Sequence, residues 1–270
     1  MKLLAIILLA GAVASANAQT IVLKTGQRVE TLGVRRSGDL VMGKIEVAGS
    51  KGEIGYQVAQ IGRIEFPEPK ELRMARDLLT QAQPEKAMAA IDPAVALHYP
   101  FRDVPGNYWA AATLVKVNAL AALKRNDEAE SLAREIQRNS TDPDMARAAE
   151  LRLAGGFIRK QQFDRAAQIC DAAIEKATDP AVIADAWVLK GDTFSAQKKW
   201  DEALLAYLHV PVFHPDQKRF LAEALLGSAR AYRRLEDLDR ARKTFNEVIA
   251  TYPKTAYASD AQKELQKLPK

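Results

Sequence analysis

Trp187, Gly191, Phe194, Ala203, Tyr207 and Pro215 fall at the offsets W, x3, G, x2, aromatic, x8, A, x3, aromatic, x7, P. Two antiparallel helices require this pattern: a small residue where their backbones cross, large residues in the flanking gaps, and a proline to end the second helix. One such pair cannot bury its apolar face alone, so it must stack on copies of itself. The copies are present. Ala87, Ala129, Ala166, Ala203 and Ala241 align on the small residue of the second helix, with separations of 42, 37, 37 and 38. The fifth unit repeats the pattern with Ala229, Tyr232, Ala241, Phe245 and Pro253, and the third with Ala154, Phe157, Ala166 and Cys170. Acidic residues precede the small residue at 127–129, 164–166, 201–203 and 239–241, where a carboxylate meets the positive end of a helix dipole.

The pattern resembles a tetratricopeptide (TPR) repeat, which implies an α-solenoid of helical hairpins with a ligand-binding concave face. TPRs repeat every 34 residues; in the best unit here the excess falls after Pro215, which lengthens the joint or the first helix. About five repeats are expected over residues 70–254, and the first is the weakest because Pro93 lies inside its second helix. Residues 255–270 then carry one narrow apolar stripe (Tyr257, Ala261, Leu265, Leu268), as a terminal capping helix should. Residues 180–268 also resemble bacterial cell-envelope TPR proteins such as the Tol-Pal coordinator and the barrel-assembly TPR component, which implies protein binding without turnover.

Ahead of the repeats the chain changes character. Lys2, the apolar run LLAIILLAGAVA and the small-x-small triplet Ala16, Asn17, Ala18 read as a signal peptide over residues 1–18, cleaved after Ala18. Periplasmic export is therefore expected, with secretion as the alternative. The next residue is Gln19 rather than a lipid-accepting cysteine, so no lipid anchor is expected. Residues 19–66 contain five apolar or alternating runs of strand length (IVL, RVETLGV, DLVMGKIEV, EIGYQV, RIEF) with glycine-bearing turns between them. These imply a small N-terminal β-domain, resembling an Sm-like barrel or forming a bent sheet. Residues 67–69 form a linker, and prolines at 84, 93, 100, 105, 143, 180, 211, 215 and 253 mark breaks in the helical part.

Composition narrows the chemistry. Formal net charge is +5, one less once Lys2 leaves with the leader, and the short basic clusters lie among acidic residues, so no nucleic-acid partner is expected. The single cysteine, Cys170, forbids an intramolecular disulfide and occupies a core position. Ser195 to Lys198 is formally SxxK and Lys24 to Gly26 formally KTG, but the order is the reverse of that in the serine acyltransferases, and no catalysis is expected. His209 and His214, five apart, lack the acidic or cysteine partners of a metal shell, so no metal and no cofactor are expected. Trp187 is assigned to the core, and Trp109 to core or staple packing with exposure as the alternative.

Function is sought on the face that the first helices turn away from their partners. Offsetting by two to three positions from Trp187, Gly191 and Phe194 selects Asp185, Val188, Asp192 and Ser195. Equivalent positions are Leu114, Asn118 and Ala121 in unit two, Leu151, Gly155 and Ile158 in unit three, and Glu223, Leu226, Arg230 and Arg233 in unit five. This groove is apolar early and charged late. It lacks the Lys and Asn set of TPRs that clamp acidic tails, and suits an amphipathic helix or extended peptide. The expected function is an exported scaffold or adaptor in envelope assembly or maintenance, binding a protein or peptide partner. A module that grips an anionic envelope polymer or lipid headgroups through Arg35, Arg36, Lys44 and Lys51 is the first alternative, with peripheral envelope association; a hydrolase is the second.

Overall fold

The computed structural model describes residues 19–47 and 49–269. The expected leader, residues 1–18, lies outside the described residues. Two compact units form: residues 19–68 together with Val104–Asn107, and Pro69–Asp103 together with the chain from Tyr108 onward.

The first unit contains β1 (Gln19–Leu23), β2 (Arg28–Thr31), β3 (Gly33–Ser37), β4 (Leu40–Val47), β5 (Ser50–Gln57) and β6 (Ile61–Glu65). They form two antiparallel sheets, ordered β2-β1-β6 and β3-β4-β5, which is the bent-sheet alternative and not a closed barrel. The run RVETLGV, read above as one strand, breaks at Leu32. Thr31 pairs with Gln19 of one sheet, whereas Gly33 pairs with Lys44 of the other. That switch lays the sheets against each other around Ile21, Val41 and Ile64, all fully buried. Gly43 is required at this contact, since a Cβ there would lie 2.6 Å from the Thr31 methyl. Val104–Asn107 joins the same unit: the Ile64 amide donates to the Pro105 carbonyl (2.9 Å), and buried Val104 extends the small core.

The second unit is helical throughout. Its elements are α1 (Lys70–Thr80), α2 (Pro84–His98), α3 (Trp109–Ala122), α4 (Asn126–Asn139), α5 (Pro143–Arg159), α6 (Phe163–Lys176), α7 (Pro180–Ala196), α8 (Trp200–Phe213), α9 (Lys218–Arg234), α10 (Leu238–Thr251) and α11 (Ala256–Leu265). Successive pairs form five hairpins and α11 caps the last. Each first helix packs on its own second helix and on the next first helix, in the contacts α1–α3, α3–α5, α5–α7, α7–α9 and α9–α11. This is a TPR-like solenoid. The excess over the family period lies in the first helices, for α5, α7 and α9 have 17 residues and α4, α6, α8 and α10 have 14.

The turn inside each hairpin repeats too. Ala82, Lys124, Gln161, Lys198 and Glu236 all adopt left-handed backbone, with φ of 57°, 61°, 56°, 61° and 64°. In each turn the amide after this residue donates to the carbonyl five positions back: Gln83 to Leu78, Arg125 to Leu120, Gln162 to Phe157, Lys199 to Phe194 and Asp237 to Tyr232. These are Schellman caps, which satisfy carbonyls that the helix end leaves open.

Prolines sort into starters and passengers rather than breaks alone. Pro84, Pro143 and Pro180 occupy first-turn positions, where a missing N–H is harmless. Asp142 and Asp179 cap the latter two helices, accepting from the Asp144 (2.8 Å) and Ala181 (2.8 Å) amides. Pro93 and Pro211, expected to interrupt, lie inside α2 and α8. Pro93 is exposed while Ala87, Ile91, Ala94 and His98 bury the opposite face, so the carbonyl it leaves unpaired meets solvent and packing holds the helix.

Candidate functional site

The row of first helices is built around one aromatic. Tyr207 of α8 inserts its ring between α7 and α9, where Gly191 and Gly227 leave room: a Cβ on Gly191 would lie 2.5 Å from the ring, and one on Gly227 2.6 Å. The glycine of the sequence motif is thus a seat for the motif's own tyrosine. Because the ring passes between the helices, its hydroxyl emerges on the first-helix face. There it donates to Asp192 Oδ1 (2.7 Å) and lies 3.1 Å from Ser195 Oγ.

Around it lies a chain of charges supplied by successive hairpins. Arg152 of α5 pairs with Asp185 of α7, both only partly exposed. Glu223 of α9 accepts from the Tyr257 hydroxyl of α11 (3.1 Å). Burial, reinforced by the carboxylates of Asp192 and Asp185, raises the Glu223 pKa to about 7 against the opposing pull of Arg152. Asp192 is also raised, again chiefly by burial, with the Tyr207 hydrogen bond opposing. Glu264 of α11 pairs with Arg233 and lies 3.9 Å from Arg230, which is 3.7 Å from Asp260. Asp192, Ser195, Trp200, Tyr207, Arg230, Arg233, Arg234 and Glu264 together line a depression of about 450 Å³. Arg234 covers the Trp200 ring at 5.4 Å.

A second depression, about 150 Å³, opens between α3, α4 and α5, lined by Asn118, Ala121, Asn126, Glu130, Arg152, Gly155 and Arg159 among others. The two mid-helix glycines play different parts here. Gly156 makes room for Glu130, whose Oε1 would be 2.3 Å from a Cβ, whereas Gly155 faces the depression with nothing closer than Arg159 Nη1 at 3.9 Å.

The residues expected along this face divide accordingly. Asn118, Asp185, Asp192, Glu223, Arg230 and Arg233 lie in or beside these two charged and polar clusters, with Leu114 and Ile158 half-buried on α3 and α5. Leu151, Val188 and Leu226 do not line it: their relative exposures are 0%, 2% and 3%. The correction has a simple cause. The position they share points at the neighbouring first helix, so contacts such as α5–α7 and α7–α9 enclose it. Leu151, for example, packs with Cys170, Val182 and Ala186. Arg230 and Arg233, expected to be open to a ligand, are instead engaged by the acids of α11.

Arg152, Tyr257 and Glu264 were absent from the sequence-derived set. The signal that points to Arg152 is the concentration of carboxylates on adjacent first helices, which demands a cation between them.

Residues outside the face keep structural places. Trp109 is buried at 1% exposure, and His98, 1% exposed, is held by burial at a pKa of about 4. Ser195 engages Tyr207 rather than Lys198, which sits in the following left-handed turn. Among the described residues, no group of three or more His, Cys, Asp or Glu is arranged to hold a metal ion.

Comparison with known proteins agrees with this geometry. Two tetratricopeptide repeat family models match, one over residues 151–216 and the other over 223–255. The helical part is therefore a TPR repeat array across those residues. No curated protein matches the chain. Among solved structures, it is similar to the crystal structure of YrrB, described as a TPR protein with an unusual peptide-binding site, at 19% identity and a TM-score of 0.38, over 72% of this chain and 90% of that one.

Proposed function

We propose that the repeat array is a non-catalytic scaffold that binds a protein or peptide partner along its first-helix face, in an exported protein serving envelope assembly or maintenance. The observation that carries the reading is the Arg152–Asp185, Tyr207–Asp192 and Tyr257–Glu223 series, which spans α5, α7, α9 and α11. Half-buried groups already oriented by one another lose little freedom on binding, so a partner lying across several repeats meets a preorganised surface. The adjoining Asn118 and Asn126 carry side-chain amides suited to the backbone of an extended peptide. The leader read over residues 1–18 supports export. Polymer binding by the first unit receives less support, because Arg35 is committed to Glu53 (2.7 Å), and Arg28 and Arg63 to Glu65 (2.6 and 2.7 Å).

Photo-crosslinking residues placed singly at Asn118, at Ser195 and, as a control, at exposed Lys243 of α10 test this reading in cells. A shared product from Asn118 and Ser195 that is absent from Lys243 is expected, together with an N-terminus at Gln19. Equal products from all three positions refute the face assignment, and an intact leader refutes export.

A further inference from the structure

Away from that face, α8 departs from its counterparts. The second helices α4, α6 and α10 turn charged residues such as Arg134, Asp171 and Lys243 to solvent. In contrast, α8 exposes Leu205, Val212 and Phe213 at 71%, 64% and 65%. With half-buried Leu208 these residues fall at i, i+3, i+7 and i+8, a continuous stripe along one side of the helix. Trp187 of α7 widens the stripe. Its ring stacks on His209 with centroids 3.8 Å apart, and His209 in turn lies 4.4 Å from the Phe213 ring. Together with Phe194 these side chains line an open apolar depression of about 500 Å³.

We propose that a second copy of this chain covers the stripe, its α8 lying antiparallel to the first across a twofold axis. Charge favours that partner and that direction. Asp201 and Glu202, both exposed, stand at the N-terminal end of α8, with Asp201 one turn before Leu205 on the same side. His214, Lys218 and Arg219 follow the C-terminal end, outnumbering Asp216. An antiparallel pair sets each acidic end over the other copy's basic end and opposes the helix dipoles; a parallel pair would superpose like charges.

Area favours it as well. The measured exposures, applied to side chains of this size, leave on the order of 500 Å² of apolar surface per copy. Doubled by symmetry and edged by the charged ends, such a contact reaches about 1,200 Å², the lower bound for a specific interface. Because the same patch faces itself, the assembly closes at two copies. An anionic membrane surface fits poorly, since it would meet Asp201 and Glu202 at one end of the stripe.

Sedimentation velocity on the mature chain tests the proposal, with Leu205→Glu and Phe213→Glu as variants whose exposed positions leave the fold intact by circular dichroism. A concentration-dependent dimer is expected for the unmodified protein, weakened at least about tenfold by either substitution. Leu208 lies near the middle of the stripe and hence near the axis, so Leu208→Cys should form a disulfide dimer on mild oxidation more readily than Leu205→Cys. A monomer at about 100 µM overturns the proposal, including one that instead joins vesicles or a different protein through the stripe. Faster self-coupling at Leu205→Cys than at Leu208→Cys overturns the antiparallel arrangement. Substitution of Asn118 should leave association unchanged, which separates this outcome from that of the first-helix face.

Discussion

Gly191→Ala should destabilise the repeat array, although the change favours a helix. In an exposed helix interior the added methyl is worth about 1 kcal/mol of propensity. At this site it would lie 2.5 Å from two ring atoms of Tyr207 and 2.8 Å from a third, where carbon contacts settle near 3.5 to 4.0 Å. The ring must withdraw by about 1 Å. It has nowhere to go, because the Cβ position of Gly227 is 2.6 Å from the same ring on the other side and the hydroxyl is tethered to Asp192. The helices must part instead. Overpacking of this kind costs about 1–3 kcal/mol, so a net loss of about 1–2 kcal/mol is expected after the propensity gain, or several degrees in Tm. Gly155→Ala is the internal control, for its methyl would meet nothing closer than 3.9 Å, and it should stabilise by up to about 1 kcal/mol. Urea unfolding of both variants, and of Gly191→Ala combined with Tyr207→Leu, makes the comparison. The reasoning is refuted if Gly191→Ala and Gly155→Ala shift the midpoint in the same direction, or if removing the ring fails to relieve the first.

Two further outcomes follow from the titrating groups. Glu223 has its pKa raised to about 7, so the folded state holds a proton that the unfolded chain releases; its contribution is full below the ordinary carboxylate pKa and is lost as pH climbs through about 7. Glu223→Gln should therefore raise Tm relative to the parent at pH 8 and flatten its fall between pH 5 and 8, as followed by differential scanning calorimetry. Cys170 is fully buried and its thiol is pushed up to about 12, chiefly by burial, so a thiol reagent at pH 8 should leave the native protein unlabelled and react on unfolding. Stoichiometric labelling without denaturant contradicts this.

Much of the helical architecture is legible in the sequence because its signals are periodic. The separations of Ala87, Ala129, Ala166, Ala203 and Ala241 recur among the five left-handed turn residues, each five positions earlier. The turns themselves were not legible, since they carry Ala, Lys, Gln, Lys and Glu where glycine is the usual marker. Leu32 likewise escaped notice: a strand that changes sheets keeps the alternation of one that does not. On the first-helix face, charged positions could be chosen by their offset, but burial of Leu151, Val188 and Leu226 depends on how closely the next helix approaches. The capture of Arg230 and Arg233 depends on where α11 comes to rest, which no local pattern encodes.

The recurring left-handed turns carry a consequence for the array as a whole. An L-residue in that conformation forgoes about 1 kcal/mol that glycine would not, and the array does so once per hairpin. None of the five residues lines the depressions on the first-helix face. The protein thus keeps a latent reserve of stability, divided evenly along its length. Any module can be stiffened separately there while the recognition chemistry stays as it is.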